Sequence, residues 1–104
     1  MKEPENGIEL LVLLDIEGLE DKARFEKHLK REGFKTVEEE EFVYTGISST
    51  TLFSTKAFIL EVFKEALKKQ DFKGSVNMVF LLNETPYPAY YFDHNTKEFE
   101  LVKE

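Results

Sequence analysis

The stretch "IELLVLLDI", Ile8 to Ile16, decides how this chain folds. It is a short apolar run of β-compatible residues, and it is preceded by the turn-forming residues Pro4, Asn6 and Gly7. A short apolar run of this kind predicts a strand that is buried on both faces and therefore central in its sheet. The following elements must then pack around this strand, and Asp15 stands near its end.

A first helix is predicted in "GLEDKARFEKHLKREGF". Its start carries Glu20 and Asp21 and its last turn is basic, so the charges complement the helix dipole. Gly33 suits the left-handed position that follows a helix. Phe25 and Leu29 lie one helical turn apart and form the predicted inner face.

The segment from Lys35 to Ser48 has an extended pattern, with Gly46 predicted as a bulge or twist. The four glutamates Glu38–Glu41 fit two interpretations. They form either an edge strand, where charge discourages unwanted pairing, or the connection of a hairpin.

A second helix is predicted from about Thr50 to Gln70. At 100° per residue, one continuous apolar stripe faces the core. The stripe consists of Leu52, Phe53, Ile59, Leu60, Phe63, Ala66 and Leu67. Phe58 and Val62 fall instead among the charged positions. Such a pair indicates a second contact, such as a dimer partner, although isolated surface aromatics are also common.

The remaining chain is predicted to form a strand in "SVNMVFLLN", a turn in "ETPYP" and a hairpin of Ala89–Phe92 with Glu98–Val102. This order of elements favours one α+β domain over residues 1–104. The predicted fold is a ferredoxin-like two-layer sandwich (βαββαβ) with an additional C-terminal β-hairpin strand. Both helices cover one face of that sheet and leave the other for a partner or ligand. A doubly wound α/β fold fits less well, because strands follow the third strand where a helix would be needed.

The composition limits the classes of function. The 104 residues include 21 acidic and 14 basic side chains, for a net charge of −7, which repels nucleic acid unless a local patch or a metal ion intervenes. The chain has no cysteine, so disulfides, zinc-thiolate sites and thiol nucleophiles are excluded. No secretion signal and no apolar run near the roughly 20 residues of a membrane helix is visible, which predicts a cytoplasmic protein.

Asp15 is the candidate catalytic and metal-binding residue. It ends the first strand, and Glu17 and Glu20 follow it closely. A carboxylate in this place can hold a divalent cation such as Mg²⁺ or Mn²⁺, which phosphodiester hydrolysis often requires. The alternative is that Asp15 caps the next helix or its turn.

A hydroxyl cluster forms the candidate phosphate or ligand site. Ser48, Ser49, Thr50 and Thr51 precede the second helix, where free N–H groups can bind an anion, and Lys56 adds a full positive charge. The alternative is ordinary capping by Ser49 or Thr50, with Lys56 extended towards solvent.

Several of these segments resemble the small ferredoxin-like endoribonucleases of the VapD (virulence-associated protein D) type and their CRISPR-associated relatives. The resemblance covers about Ile8 to Leu82 and rests on "LLVLLDI", "KHLKREGFKT", "EFVYTGIS", "LFSTKAFILEVFKEAL" and "FKGSVNMVFLL". It implies a homodimer that cleaves RNA, with Asp15 as the matching acidic residue and a divalent metal as cofactor.

The alternative hypothesis is a non-catalytic interaction or regulatory domain. Tyr87, Tyr90 and Tyr91 of the C-terminal hairpin, together with Phe58 and Val62, would then bind another copy or another protein, because Tyr is favoured at interfaces. Half of these aromatics are equally expected in the core, since alternate residues of a strand point inward. The sequence leaves open whether the protein is an enzyme.

Overall fold

The computed structural model describes residues 7 to 102, in which two helices and seven strands follow one another. In chain order they are β1 (Ile8–Glu17), α1 (Lys22–Arg31), β2 (Lys35–Thr36), β3 (Val43–Ser48), α2 (Leu52–Lys68), β4 (Ser75–Leu82), β5 (Thr85–Pro86), β6 (Tyr90–Asp93) and β7 (Glu98–Leu101).

The strands form one open antiparallel sheet in the order β2-β3-β1-β4-β6-β7, and β5 pairs with β4. The α+β class, the two helices and the central place of β1 are therefore confirmed. The terminal hairpin is β6 and β7, as predicted. The glutamates Glu38–Glu41 connect β2 to β3, so the hairpin alternative is correct and the edge-strand alternative is wrong.

Both helices pack on the same face of the sheet. Phe25 of α1 and Phe63 of α2 contact each other and both contact Tyr44 of β3, with ring centroids 5.9 to 6.3 Å apart. These three side chains are almost completely buried. The hydroxyl group of Tyr44 donates a 2.7 Å hydrogen bond to Glu26 and so ties α1 to β3.

The prediction that β1 is buried on both faces is wrong. Ile8, Leu10 and Val12 point towards the helices and are buried, whereas Leu13 points away from them and is 36% exposed. The physical reason is that no helix among residues 7–102 covers the second face. The apolar run marked a central strand correctly, but it did not imply a second covering layer.

The helix termini are set by local hydrogen bonds. Asp21 caps α1 by accepting a bond from the Arg24 amide. For α2 the predicted cap, Ser49 or Thr50, and the predicted limits, Thr50 to Gln70, are corrected. Thr51 is the cap: its backbone is extended, and its hydroxyl accepts a 3.0 Å bond from the Ser54 amide.

The predicted core stripe of α2 is wrong at its start. Leu52 and Phe53 are 49% and 79% exposed, and the first buried residue is Thr55, whose hydroxyl lies 2.6 Å from that of Ser48 at the end of β3. The first turn of α2 therefore lies outside the core. Val62, predicted on the surface, is buried.

Candidate functional site

The sheet face opposite the helices, which we call the open face, carries an apolar strip. Register fixes its rows: Leu11 lies between Thr45 and Leu81, and Leu13 lies between Val43 and Val79. Neighbours in such rows have Cβ atoms roughly 5 Å apart and contact one another directly. The apolar strip is defined by Leu11, Leu13, Val43, Val79 and Leu81.

A shallow depression of about 640 Å³ lies over one part of the apolar strip. Leu11 and Leu81 are among its lining residues, with Ile47 beside them. Lys35 and Glu84 line it as well, and they stand on opposite edges because β2 and the β4–β5 turn flank the three central strands. Asp15 does not line this depression.

Carboxylates border the apolar strip at both ends. Glu9 precedes the strip leucines along β1, and Asp15 and Glu17 follow them; all share one face, since side chains two apart lie on the same side of a strand. Glu100 lies on the same face at β7, opposite Tyr91. These four residues are exposed, and none joins an ion pair within residues 7–102.

Asp15 occupies an accessible position on this border. It is exposed, lies opposite Asn77 of β4, and has Glu17 two residues further along the same face. The described part of the chain contains no group of three His, Asp or Glu side chains arranged to hold a metal ion. A metal at Asp15 therefore stays a prediction, and water or a partner would have to supply further ligands.

Two hydroxyl groups of the cluster, those of Ser48 and Thr51, are engaged in local hydrogen bonds. The hydroxyl group of Ser48 bonds Thr55 and accepts a 3.3 Å bond from the Thr50 amide, while that of Thr51 caps α2. Ser49 is exposed, and Lys56 is half-buried. The capping alternative explains the hydroxyl groups of Ser48 and Thr51 without an anion.

The structure does not bring the hydroxyl cluster and Asp15 together. Ser48 pairs with Ile8 at the start of β1, and Asp15 lies seven residues further along that strand, a distance of roughly 23 Å. Asp15 is also on the open face, whereas Thr55, which bonds Ser48, belongs to the helix layer. One RNA phosphate cannot contact both groups in a single copy.

The predicted aromatic interface is divided between the core and the surface. Tyr90 is buried and stacks on Phe80 at 6.0 Å, and Tyr87 stacks on the same ring at 5.4 Å. Tyr91 points to the open face and is 40% exposed. Phe58 is 39% exposed and stacks on Phe34 at 6.0 Å.

His28 lies in α1, on the helix side of the sheet, and His94 lies in a turn. His28 is buried between the helix ends, with its Nδ1 3.1 Å from the Lys69 ammonium group. Burial, and then the charge of Lys69, lowers the pKa of His28 below its ordinary value. His94 is exposed in the β6–β7 turn.

Sequence analysis predicted a sheet face free of helices but missed its apolar strip, because it expected the strand "IELLVLLDI" to be buried on both faces. A signal was present in the alternation of the same strand. Glu9, Asp15 and Glu17 occupy one face of a period-2 strand, so that face had to reach solvent. The leucines between them share it.

Comparison of the chain with protein-family models, curated proteins and solved structures found no match. The resemblance to VapD-type endoribonucleases thus stays a prediction. No helix within residues 7–102 is long and apolar enough to cross a membrane.

Proposed function

We propose that the protein is a non-catalytic interaction domain that binds a protein partner on its open face. The observation that carries this proposal is the apolar strip on the solvent side of the three central strands. An antiparallel sheet with one free face ordinarily places polar residues there. A contiguous apolar patch bordered by charge is typical of a binding surface.

The strand order supports a ferredoxin-like unit as the scaffold. In that arrangement the four strands β2-β3-β1-β4 are joined by two helices that pack on one face. The strands β5, β6 and β7 then extend the sheet beyond β4. Such an extension widens the open face without adding a layer over it.

The size of the open face suits one compact partner. Four neighbouring strands span roughly 19 Å, and Glu9 to Glu17 spans roughly 27 Å along β1. The projected area is thus on the order of 500 Å². A standard interface buries about 800 Å² of accessible surface on each partner, so the open face fits an interface at the small end of the range.

Site-specific photocrosslinking tests the proposal. A photoreactive residue at Leu13 is expected to give a discrete protein adduct in the cells that make the protein, and Leu11→Asp is expected to abolish it. The matched control places the same residue at Phe53, which is more exposed but lies at the start of α2. Equal labelling from both positions, or none from Leu13, would contradict the proposal.

A second candidate function is metal-dependent RNA cleavage by a homodimer. The observation that favours it is the exposure of Asp15 beside Glu17 on the open face. Purified protein would then cleave RNA with Mg²⁺ or Mn²⁺, and Asp15→Asn would abolish the activity. Glu20→Gln, in the loop that follows β1, is the matched control. Absence of cleavage with both metals would eliminate this candidate.

A further inference from the structure

We infer that the partner of the open face is a basic amphipathic helix of another protein, laid across strands β3, β1 and β4 over the apolar strip. This inference rests on the proposed function and adds the chemistry of the partner. It follows from the sign of the bordering charges and from the spacing between them.

The charges on the open face are predominantly negative. Glu9 stands at one end of the apolar strip on β1, and Asp15 and Glu17 stand at the other, with Glu100 further along the sheet. Among the strand residues of this face within the described range, Lys35 alone is basic. Complementary potentials across an interface favour a partner that carries Lys and Arg around an apolar surface.

The spacing of the charges fits the width of a helix. Glu9 and Asp15 are six residues apart on β1, which is roughly 20 Å. A helix with its side chains is about 10 to 12 Å across, so it covers the Leu11 and Leu13 rows and leaves both carboxylate rows free. Lysine or arginine side chains on its two flanks then reach Glu9 on one side and Asp15 on the other.

The length of the strip sets the length of the helix. Crossing the three strands covers roughly 14 Å, which corresponds to about 10 helical residues. Helices already pack on the inner face of this sheet, so the twist of the sheet is compatible with helix packing on the open face too. The depression beside Leu11 and Leu81 gives the helix a concave seat.

The same charges disfavour two other occupants. A second copy stacked face to face would bring four more carboxylates and one lysine to the interface, and like charges in apposition cost affinity. RNA phosphates would meet Asp15, Glu17 and Glu100 on a face where Lys35 is the one basic strand residue within the described range. RNA-binding surfaces instead neutralise phosphates with several Lys and Arg side chains.

The test uses two labelled model peptides of about 18 residues, longer than the ~10 needed. Both carry Leu at helical spacing and Ala between; one has Lys at all flanking positions and the other has Glu. The Lys peptide is expected to bind the full chain, more weakly as salt rises, and to shift the amide resonances of Leu11, Leu13 and Val79. The Glu peptide is expected not to bind.

Variants separate the apolar and charged contributions. Leu13→Ser and the double variant Asp15→Lys with Glu17→Lys are each expected to weaken Lys-peptide binding at least about tenfold. The double variant is also expected to gain binding of the Glu peptide. Glu61→Lys, on the exposed side of α2, is the matched control because it makes the same charge change at one site away from the open face. It is expected to leave the binding of both peptides unchanged.

Each outcome has a defined meaning. Equal binding of both peptides, or no effect of the charge reversal, overturns the basic-helix inference. So does binding of neither peptide. A dimer in sedimentation that Leu13→Ser dissociates identifies a second copy as the occupant and overturns the inference. In all these cases the photocrosslinking from Leu13 decides the proposed function separately.

Discussion

The molecule contains two strand–helix–strand units, β1–α1–β2 and β3–α2–β4, whose helices end in the same way. After α1 the Phe34 amide bonds the Leu29 carbonyl, and after α2 the Phe72 amide bonds that of Leu67. In both places the residue before the Phe, Gly33 or Asp71, has a positive φ, and its amide bonds the carbonyl three residues earlier. The Phe itself is buried in both. The two ends are Schellman motifs.

The two units differ in the length of the helix and of the strand that follows it. α1 has ten residues and leads into a two-residue strand, whereas α2 has seventeen and leads into an eight-residue strand. The first unit packs on the second and is joined to it at the helix ends. There the side chain of Gln70 bonds the backbone N–H and C=O of Asp21, and Lys69 bonds His28.

The largest expected effect comes from the two terminal phenylalanines. Phe34→Ala is expected to lower the free energy of unfolding by about 4 kcal/mol and Phe72→Ala by about 3 kcal/mol, within the usual range for buried Phe. Phe34 contacts two rings of α2, Phe58 and Phe63, whereas the nearest ring to Phe72 is that of Phe92 at 6.1 Å. Urea denaturation measures both, and the reverse order would contradict this account.

The left-handed positions should respond in opposite directions. Gly33 has φ of +101° and Asp71 has φ of +53°. Gly33→Ala is expected to cost about 1 to 2 kcal/mol from backbone strain, because a Cβ there meets no atom within 4 Å. Asp71→Gly relieves strain and removes two exposed ion pairs, with Lys73 and Lys97, which are worth little. The melting temperature should therefore rise by a few degrees at most, as read by calorimetry. A stabilising Gly33→Ala would refute the shared-motif comparison.

The two N-caps provide a smaller test. Asp21→Ala and Thr51→Ala each remove a side-chain acceptor for a helix N–H and are expected to cost about 1 kcal/mol. Ser49→Ala is the matched control for Thr51 and should be close to neutral, because Thr51 alone caps α2. A larger effect at Ser49 than at Thr51, in thermal melts, would show that the cap is misassigned.

The contact between the units should respond to pH. Burial and Lys69 lower the folded-state pKa of His28 from 6.5, so the unfolded chain takes up this proton more readily. The stabilisation is therefore present above pH 6.5 and is lost as the pH falls below it. The difference in stability between about pH 7.5 and about pH 5 is expected to shrink in His28→Gln. An unchanged pH dependence would exclude this role for His28.

Local patterns predicted the elements well. The caps of α1, the central place of β1 and the terminal hairpin follow from the charge pattern, the apolar run and the turn residues around Asp93. The repeat at the helix ends, "LKREGFK" and "LKKQDFK", was also readable but escaped notice because Asp71 stands where glycine is usual.

Predictions that needed the third dimension were less successful. The apolar stripe of α2 contained Leu52 and Phe53 by periodicity, but periodicity does not tell where the sheet ends beneath a helix. The open face itself was predicted, since both helices were expected on one side of the sheet, but its apolar strip was not, because β1 was expected to be buried on both faces. An apolar residue such as Leu13 is compatible with a core position and with a binding surface, so its residue type alone does not separate the two.

The Tyr44–Glu26 hydrogen bond between the units sets an alkaline limit for the fold. Burial and the neighbouring carboxylate raise the pKa of Tyr44 above its ordinary value of 10. The stabilisation is present below about pH 10 and is lost above it, because the unfolded chain releases the phenolic proton first. The chain has no tryptophan, so tryptophan absorbance does not overlap the ultraviolet absorbance of tyrosinate. Ionisation of Tyr44 would therefore report the pH at which α1 leaves the sheet.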